Sequence, residues 1–294
     1  MKPLVTVGVC VRNSASTIRE AVESITVQDF PHESMEIIFV DDGSEDTTLA
    51  IIRWYAARVD MDTKVFHQSW QGLGISRNLV VDNARGRYIV WVDGDMILPA
   101  DHVRKQVEFM EPHPEVGIAK ARYGVPVGEN LISFLENISY VAVDQLYDGK
   151  PVSKTLGTGG SIYRVEAIRQ VGGFDKNISG VGEDMDAEHR TRAAGWLLYR
   201  GSPAVFFERR RKSLVAVWRE SFWHGHGGHL TFRKNRRVFS IYKMTPLVAF
   251  VAAVLYANVA YKTMRKKIVF LLPLQYTFKS IAWLFGFMSG QLDV

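Results

Sequence analysis

From Leu4 to Val92 the chain alternates short apolar runs with segments of helical spacing, an order that fits a mostly parallel sheet with right-handed crossovers. Leu4 to Val11 reads as a buried strand. Ser14 to Val27 follows with Ile18, Ala21, Val22 and Ile25 on one helical face, capped by Ser14 or Ser16. Met35 to Val40 reads as the second strand, and Asp46 or Thr47 can cap a helix through Ile51, Ile52, Tyr55 and Ala56. Lys64 to His67, Ser76 to Ala84 and Tyr88 to Val92 continue as strand, helix and strand.

In such sheets ligands gather beyond the carboxyl ends of the strands. Val40 runs into Asp41-Asp42-Gly43-Ser44 and Val92 into Asp93-Gly94-Asp95, so two carboxylate pairs open on the same edge. Gly94 lets the chain turn sharply, aiming at least one carboxylate at a ligand. An Asp-Gly turn explains either pair alone. A nucleotide and a cation explain both, with Asp41 or Asp42 accepting from base or ribose and Asp93 and Asp95 holding a metal that bridges the phosphates. All-oxygen ligation suits Mg2+ or Mn2+, and no cysteine cluster offers a zinc site. Gln71-Gly72-Leu73-Gly74-Ile75-Ser76-Arg77 has Arg77 where a dinucleotide fingerprint needs its third glycine. Its two glycines read as a tight loop, with Arg77 facing a phosphate or base or, equally, solvent.

The 294 residues, 47% of them hydrophobic, suffice for one large α/β domain and an appendage. The single cysteine, Cys10, lies in an apolar run, which reads as a buried thiol and places the catalytic part in a reducing cytosol. The N-terminal apolar run leads straight into Arg12-Asn13, so it reads as a strand and not a leader. The net charge of +5 comes from clusters at 208–212, 233–237 and 262–267 that flank apolar segments, pointing to anionic lipid headgroups and not to nucleic acid.

Leu131 to Tyr147 is amphipathic, with Leu131, Phe134, Leu135, Ile138, Val141, Ala142 and Leu146 at helical spacing. Gly157-Thr158-Gly159-Gly160 precedes Ser161-Ile162-Tyr163, and such glycines allow backbone to approach a ligand or form a flexible loop. Glu183-Asp184 stands ahead of a helix from Ala187 to Ala194, where acidic residues also serve as an N-terminal cap.

Taken together, Val9-Cys10-Val11-Arg12-Asn13, Val40-Asp41-Asp42-Gly43-Ser44, Arg77-Asn78, Asp93-Gly94-Asp95, Gly157-Thr158-Gly159-Gly160 and Gly182-Glu183-Asp184 resemble family 2 glycosyltransferases of GT-A fold. The set is similar to the membrane-bound branch with cellulose synthase-like enzymes and polyprenol-phosphate sugar transferases, over about residues 4–230. The resemblance implies inverting transfer of a sugar from a nucleotide diphosphate, with Asp184 as general base and a divalent metal on Asp93 and Asp95. It also implies nucleotide contacts from Arg12, Asn13, Asp41, Asp42, Arg77 and Asp93, acceptor contacts from Thr158, Gly159, Gly160 and Glu183, and a helix at 131–147 along the membrane surface. Single displacement at an anomeric carbon needs a base for the acceptor hydroxyl and an electrophile for the leaving group. The family's histidine and Tyr-Gly-Arg-Gly stretch are replaced near Glu208 and Trp223-His224-Gly225-His226-Gly227. His224, His226 and His229 read as a polar loop, because the intervening glycines do not hold them on one face.

Trp218, Phe222 and Trp223 beside Arg209 to Lys212 read as an interfacial segment, and the arginines suit lipid phosphate or pyrophosphate alike. Met244 to Tyr261 is uncharged over 18 residues and can span a tilted path through a bilayer. Ile268 to Gly290 carries Pro273 and Lys279; a mid-membrane lysine costs about 3 kcal/mol, which apolar neighbours can offset, so it reads as a second span. Basic residues on both sides of 244–261 leave open a surface-lying or re-entrant second helix. If the catalytic part is cytosolic, the sequons at Asn137 and Asn177 are accidental.

The expected organisation is a GT-A catalytic domain over 1–205 that includes the amphipathic helix at about 131–147, an interfacial segment over 206–243 and a membrane region over 244–294 of two helices, 244–261 and 268–290. The expected protein is an integral membrane, metal-dependent transferase with its catalytic domain on the cytoplasmic face. It would move a hexose, mannose from GDP-mannose in the first instance, to a polyprenyl-linked acceptor in glycan assembly such as N-glycan precursor synthesis. Two spans cannot easily line a polysaccharide channel. A small processive synthase using a UDP-sugar, or a non-catalytic nucleotide-sugar-binding subunit, stands as the alternative.

Overall fold

The computed structural model describes residues 2–125, 130–153, 155–178, 181–234, 236 and 241–290. By its contacts the chain forms two units, one of Met1–Arg122, Gly149–Ser179 and Glu183–Glu208, the other of Tyr123–Asp148, Gly180–Gly182 and Arg209–Val294.

The first unit is α/β. It begins β1 (Val5–Val11), α1 (Ile18–Thr26), β2 (Met35–Asp42), α2 (Thr48–Ala56), β3 (Asp62–Gln68), α3 (Leu73–Asn83) and β4 (Tyr88–Trp91). β5 (Met96–Ile97), α4 (His102–Met110), β6 (Val116–Tyr123), β7 (Lys150–Pro151), β8 (Ser161–Arg164), α6 (Val165–Gln170), α7 (Glu183–Ala193) and β9 (Leu197–Glu208) follow, with α5 (Leu131–Tyr147) intervening in the other unit. The strand order is β3-β2-β1-β4-β8-β6-β9-β5, with β7 beside β9. β3, β2, β1 and β4 are parallel; β8 reverses the direction between β4 and β6.

Every residue of β1 and β2 is buried, as the mainly apolar runs require of a sheet covered on both faces, and the buried Thr6 and Glu36 satisfy each other at 2.7 Å. Ile18, Ala21, Val22 and Ile25 of α1 are buried as their spacing predicts. Register then fixes the chemistry. Val11 lies opposite Asp41, Asp41 opposite His67, and Gly8 opposite Trp91, so Arg12, Asp41, Asp42 and Asp93 leave the parallel strands along one edge. Cys10 is buried behind that edge, and burial pushes its thiol up to about 12 against the opposing pull of Arg77.

Two local expectations change. The 71–77 stretch is not all loop: Gly72, at φ 95°, ends the turn and α3 starts at Leu73, three residues before the expected Ser76, and Arg77 is only 5% exposed. Gly94 does not serve through a positive φ. A Cβ there would stand 2.9 Å from Val11 Cγ1 and 3.1 Å from Ser14, so close packing of the 93–95 turn excludes a side chain.

The second unit is helical: α5, then α8 (Leu214–Lys234), α9 (Pro246–Met264) and α10 (Leu272–Ser289). Asn130 caps α5 by accepting from Ser133 N–H at 3.0 Å. Leu135, Ile138, Val141 and Ala142 of α5 pack with Ala253, Ala257 and Ala260 of α9 and Leu272 of α10, leaving Leu247, Val251 and Leu255 exposed on the other face of α9. Pro273 sits in the first turn of α10, where its missing N–H costs nothing. Lys279 pairs with the buried Glu136 of α5 at 2.9 Å, a partner outside its own segment. Two helical segments, Pro246–Met264 and Lys267–Ser289, are long and apolar enough to cross a membrane by length and composition. Asn137 is buried in α5, which closes that sequon to modification; Ser179 of the other sequon, and Asn235 and Arg237 of the basic run, lie outside the described residues.

The stretch with His224, His226 and His229 is helix, not loop. Its glycines are the reason it packs: a Cβ on Gly225 would run into the Trp283 carbonyl oxygen, and one on Gly286 into that of Phe222. Backbone contact between α8 and α10 stabilises a helix that three glycines would otherwise weaken by about 1 kcal/mol each. Gly225→Val should therefore destabilise the protein by about 1–3 kcal/mol. Thermal unfolding in detergent reads this, and an unchanged midpoint would refute the close crossing.

Candidate active site

The edge of the parallel strands carries the first cluster. Asn13, at φ 51°, receives Glu45 N–H on its Oδ1 at 2.8 Å while its own N–H donates to Ser44 Oγ at 2.9 Å. Arg12 donates to Gly43 O, pairs with Glu45 at 3.4 Å and lies 5.5 Å from the Trp70 ring centroid. Asp41 is fully buried; its Oδ2 pairs with His67 Nδ1 at 2.8 Å and its Oδ1 has no hydrogen-bond partner among the described residues. Asp42 is engaged by the chain itself. Its Oδ1 accepts from Gln68 Nε2 and Gln71 N–H, and its Oδ2 from Gly72 N–H at 2.8 Å, which fixes the turn into α3.

Arg77 comes off α3 into the second cluster. Its Nη1 donates to Glu183 Oε1, its Nη2 lies 3.9 Å from Asp93 Oδ1, and its guanidinium rests 5.8 Å from the Phe174 ring centroid. Phe174 is held in place by Asn78, which exchanges two hydrogen bonds with its backbone, each 2.8 Å. The Arg77 and Glu183 side chains are 7% and 1% exposed, whereas that of Asp93 is 41% exposed and so open to a ligand.

The 157–160 loop joins the pieces. A Cβ on Gly159 would stand 2.5 Å from Asp93 Oδ2; one on Gly157 would stand 3.8 Å from both Asp184 Oδ2 and Lys120 Nζ. Gly159 lets backbone pass Asp93 where a side chain would collide with its carboxylate, whereas Gly157 is needed for its φ of 81° and leaves ordinary contact distance to Asp184. Gly160 takes φ 69° against the Phe206 ring, and its N–H donates to Trp91 O at 3.1 Å, tying the loop to the end of β4. Thr158 is buried and accepts Ser161 N–H on its carbonyl at 2.8 Å. Asp184 occupies the first turn of α7 and accepts Met185 N–H on Oδ1 at 2.7 Å.

Three groups escaped the sequence reading. Lys120 is buried in β6 and donates to the Gly157 and Gly159 carbonyls. Glu188, one turn beyond Asp184, accepts from Leu156 and Gly157 N–H at 2.6 and 2.8 Å. Burial, and then the Asp184 charge, push its carboxyl up to about 7. His67 supports Asp41. The available signal was a lone lysine inside the apolar run Val116 to Ala121 and a carboxylate four residues after Asp184.

Among the described residues no three His, Cys, Asp or Glu side chains gather as a self-sufficient metal cage. The Asp93 side chain, 41% exposed, is open to a hard cation of the kind that binds through one or two carboxylates and completes its shell with water and substrate phosphates.

The sequence profile described as Glycosyl transferase family 2 matches residues 6–172, more than half of the 294 residues. The succinoglycan biosynthesis protein ExoA of Rhizobium meliloti is 24% identical over 248 residues, 80% of this chain and 72% of ExoA. The poly(ribitol-phosphate) beta-N-acetylglucosaminyltransferase TarS of Staphylococcus aureus is 30% identical over 101 residues, 34% of this chain. The first curated relatives that the chain matches are longer proteins, of which it spans 30% and 18%. Among solved structures, the mannosyltransferase PcManGT from Pyrobaculum calidifontis, in complex with GDP-Man and Mn2+, superposes with a TM-score of 0.68 at 17% identity, covering 100% of this chain and 88% of that one. At that identity the likeness concerns the fold, and it is the GT-A fold. With the family profile matched over more than half its length and the fold agreeing, the chain belongs to family 2 of the glycosyltransferases.

Proposed function

We propose that the protein is a membrane-bound, metal-dependent inverting glycosyltransferase that moves mannose from GDP-mannose to a polyprenyl-phosphate- or polyprenyl-diphosphate-linked acceptor on the cytoplasmic face. The observation that carries this reading is the 157–160 loop, with Asp93 against Gly159 and Asp184 against Gly157. With the two carboxylates flanking the three residues Gly157 to Gly159, this arrangement supports a donor-side acid and a base on either side of the loop. Asp93 and Asp95 would hold Mg2+ or Mn2+, which when bound neutralises charge on the diphosphate leaving group. Arg12, Asn13 and Asp41 receive the nucleoside, Asp42 keeps the turn into α3 in place, and Arg77 orients Asp93 while buried against Glu183. Asp184 accepts the proton of the attacking acceptor hydroxyl. Thr158, Gly159, Gly160 and Glu183 line the acceptor side; the second oxygen of Glu183 is buried without a partner among the described residues and suits a sugar hydroxyl. The two long apolar helical segments and the flanking lysines and arginines support membrane attachment.

Mannose and manganese are supported by a fold neighbour solved with GDP-Man and Mn2+. A UDP-sugar donor is the second reading, since TarS has been solved with UDP-GlcNAc on the same fold. The deciding experiment offers GDP- and UDP-sugars to purified protein with membrane lipid extract, with manganese or EDTA. The expected result is turnover of GDP-mannose alone, abolished by EDTA, giving a lipid-soluble product one sugar larger. Turnover of a UDP-sugar overturns the donor, a ladder of products overturns single transfer, and binding without turnover overturns the enzyme reading.

A further inference from the structure

Leu156 to Gly160 is held from beneath by two buried charges of opposite sign. Glu188, fully buried in α7, takes the N–H groups of Leu156 and Gly157 and the Tyr163 hydroxyl at 3.2 Å. Lys120, 2% exposed in β6, donates to the carbonyl oxygens of Gly157, at 3.4 Å, and Gly159. Four backbone groups of one short loop are thus satisfied by side chains and not by a strand ladder. Burying each ion costs several kcal/mol, and apolar residues of the same size often fill such space with no loss of stability. The charges earn their place through what they hold, which is the loop between Asp93 and Asp184.

We propose that Glu188 and Lys120 are positioning residues that clamp the 156–160 loop and thereby set where an acceptor lies beside Asp184; this rests on the transfer reading above. A shift of Gly157 would move the open side of the loop that faces Asp184 Oδ2, and a shift of Gly159 would press on Asp93. The clamp is sensitive to pH. Its carboxylate faces Asp184 on its own helix, Lys120 from β6 and Tyr163 from β8, and its ordinary range is displaced upward to about 7 by burial first and Asp184 second. A proton on Glu188 removes an acceptor from one of the two amides, so the loop loosens as pH falls through neutrality.

The test compares wild type, Glu188→Gln and Lys120→Met by acceptor KM, donor affinity and amide exchange over 155–160. Glu188→Gln should raise acceptor KM about tenfold, the factor expected for one hydrogen bond to a charged group. Donor affinity should stay within about twofold, and amide exchange at 156 and 157 should quicken by about tenfold or more. Wild-type acceptor KM should rise from pH 8 to pH 6 and that of Glu188→Gln should not. Equal weakening of donor and acceptor, or unchanged exchange at 156 and 157, overturns the clamp. If wild type transfers no sugar, the transfer reading fails, and amide exchange alone decides the clamp. If Glu188→Gln does not fold, Glu188→Asp, which keeps the charge but draws it back by a methylene, decides through the same exchange measurement.

Discussion

Asp184→Asn is expected to lower the transfer rate by about a thousandfold, within the range that a positioned general base contributes. Donor affinity should remain within about twofold, because the carboxylate stands at the far end of the 157–160 loop from Asp93. Asparagine keeps the size of the side chain and an oxygen that can still accept Met185 N–H, the bond that Asp184 Oδ1 makes at 2.7 Å. What it loses is the site for the acceptor's proton. Single-turnover transfer beside calorimetric donor binding measures the two quantities separately. A variant that transfers at the wild-type rate would place the base elsewhere; one that loses donor affinity in the same proportion would make Asp184 part of the donor site.

The second large effect concerns folding. Arg77→Met should destabilise the protein by about 3–5 kcal/mol, the usual cost of leaving a buried charge without its partner. Glu183 is 1% exposed and its Oε1 takes the Arg77 guanidinium, while its Oε2 has no protein partner among the described residues to compensate. The double variant Arg77→Met with Glu183→Met should recover much of that loss, since two apolar side chains of similar volume leave no stranded charge. Urea unfolding of both variants checks this. A double variant no more stable than Arg77→Met alone would mean that the pair is not the source of the effect.

The sequence carried the α/β alternation and the edge where the candidate site lies. Strands read as runs, helices as periodic faces, and parallel strands put their carboxyl ends together whatever else the chain does. Asp41, Asp42, Asp93 and Asp95 were legible as strand-end carboxylates on that ground alone, whereas Arg12 and Asn13 entered only through the family resemblance. The helix at 131–147 was legible too, because its apolar spacing is a local signal; its Asn130 cap emerged only with the structure.

Other features were decided only in three dimensions. Arg77 could face a phosphate, a base or water until α3 turned it toward Glu183, 106 positions away. Lys120 and Glu188 are unremarkable letters until β6 and α7 bring them under the same loop. The glycines at 225, 227 and 228 read as breaks in a polar loop until helix α8 meets α10 so closely that no Cβ fits at 225. Local sequence thus determined which segments became strands and helices and which strand ends bear carboxylates, because backbone propensity and apolar periodicity act over a few residues. Tertiary structure decided which charges pair, which glycines are sterically required and which loop the acidic groups flank, because burial and close approach depend on neighbours far away along the chain.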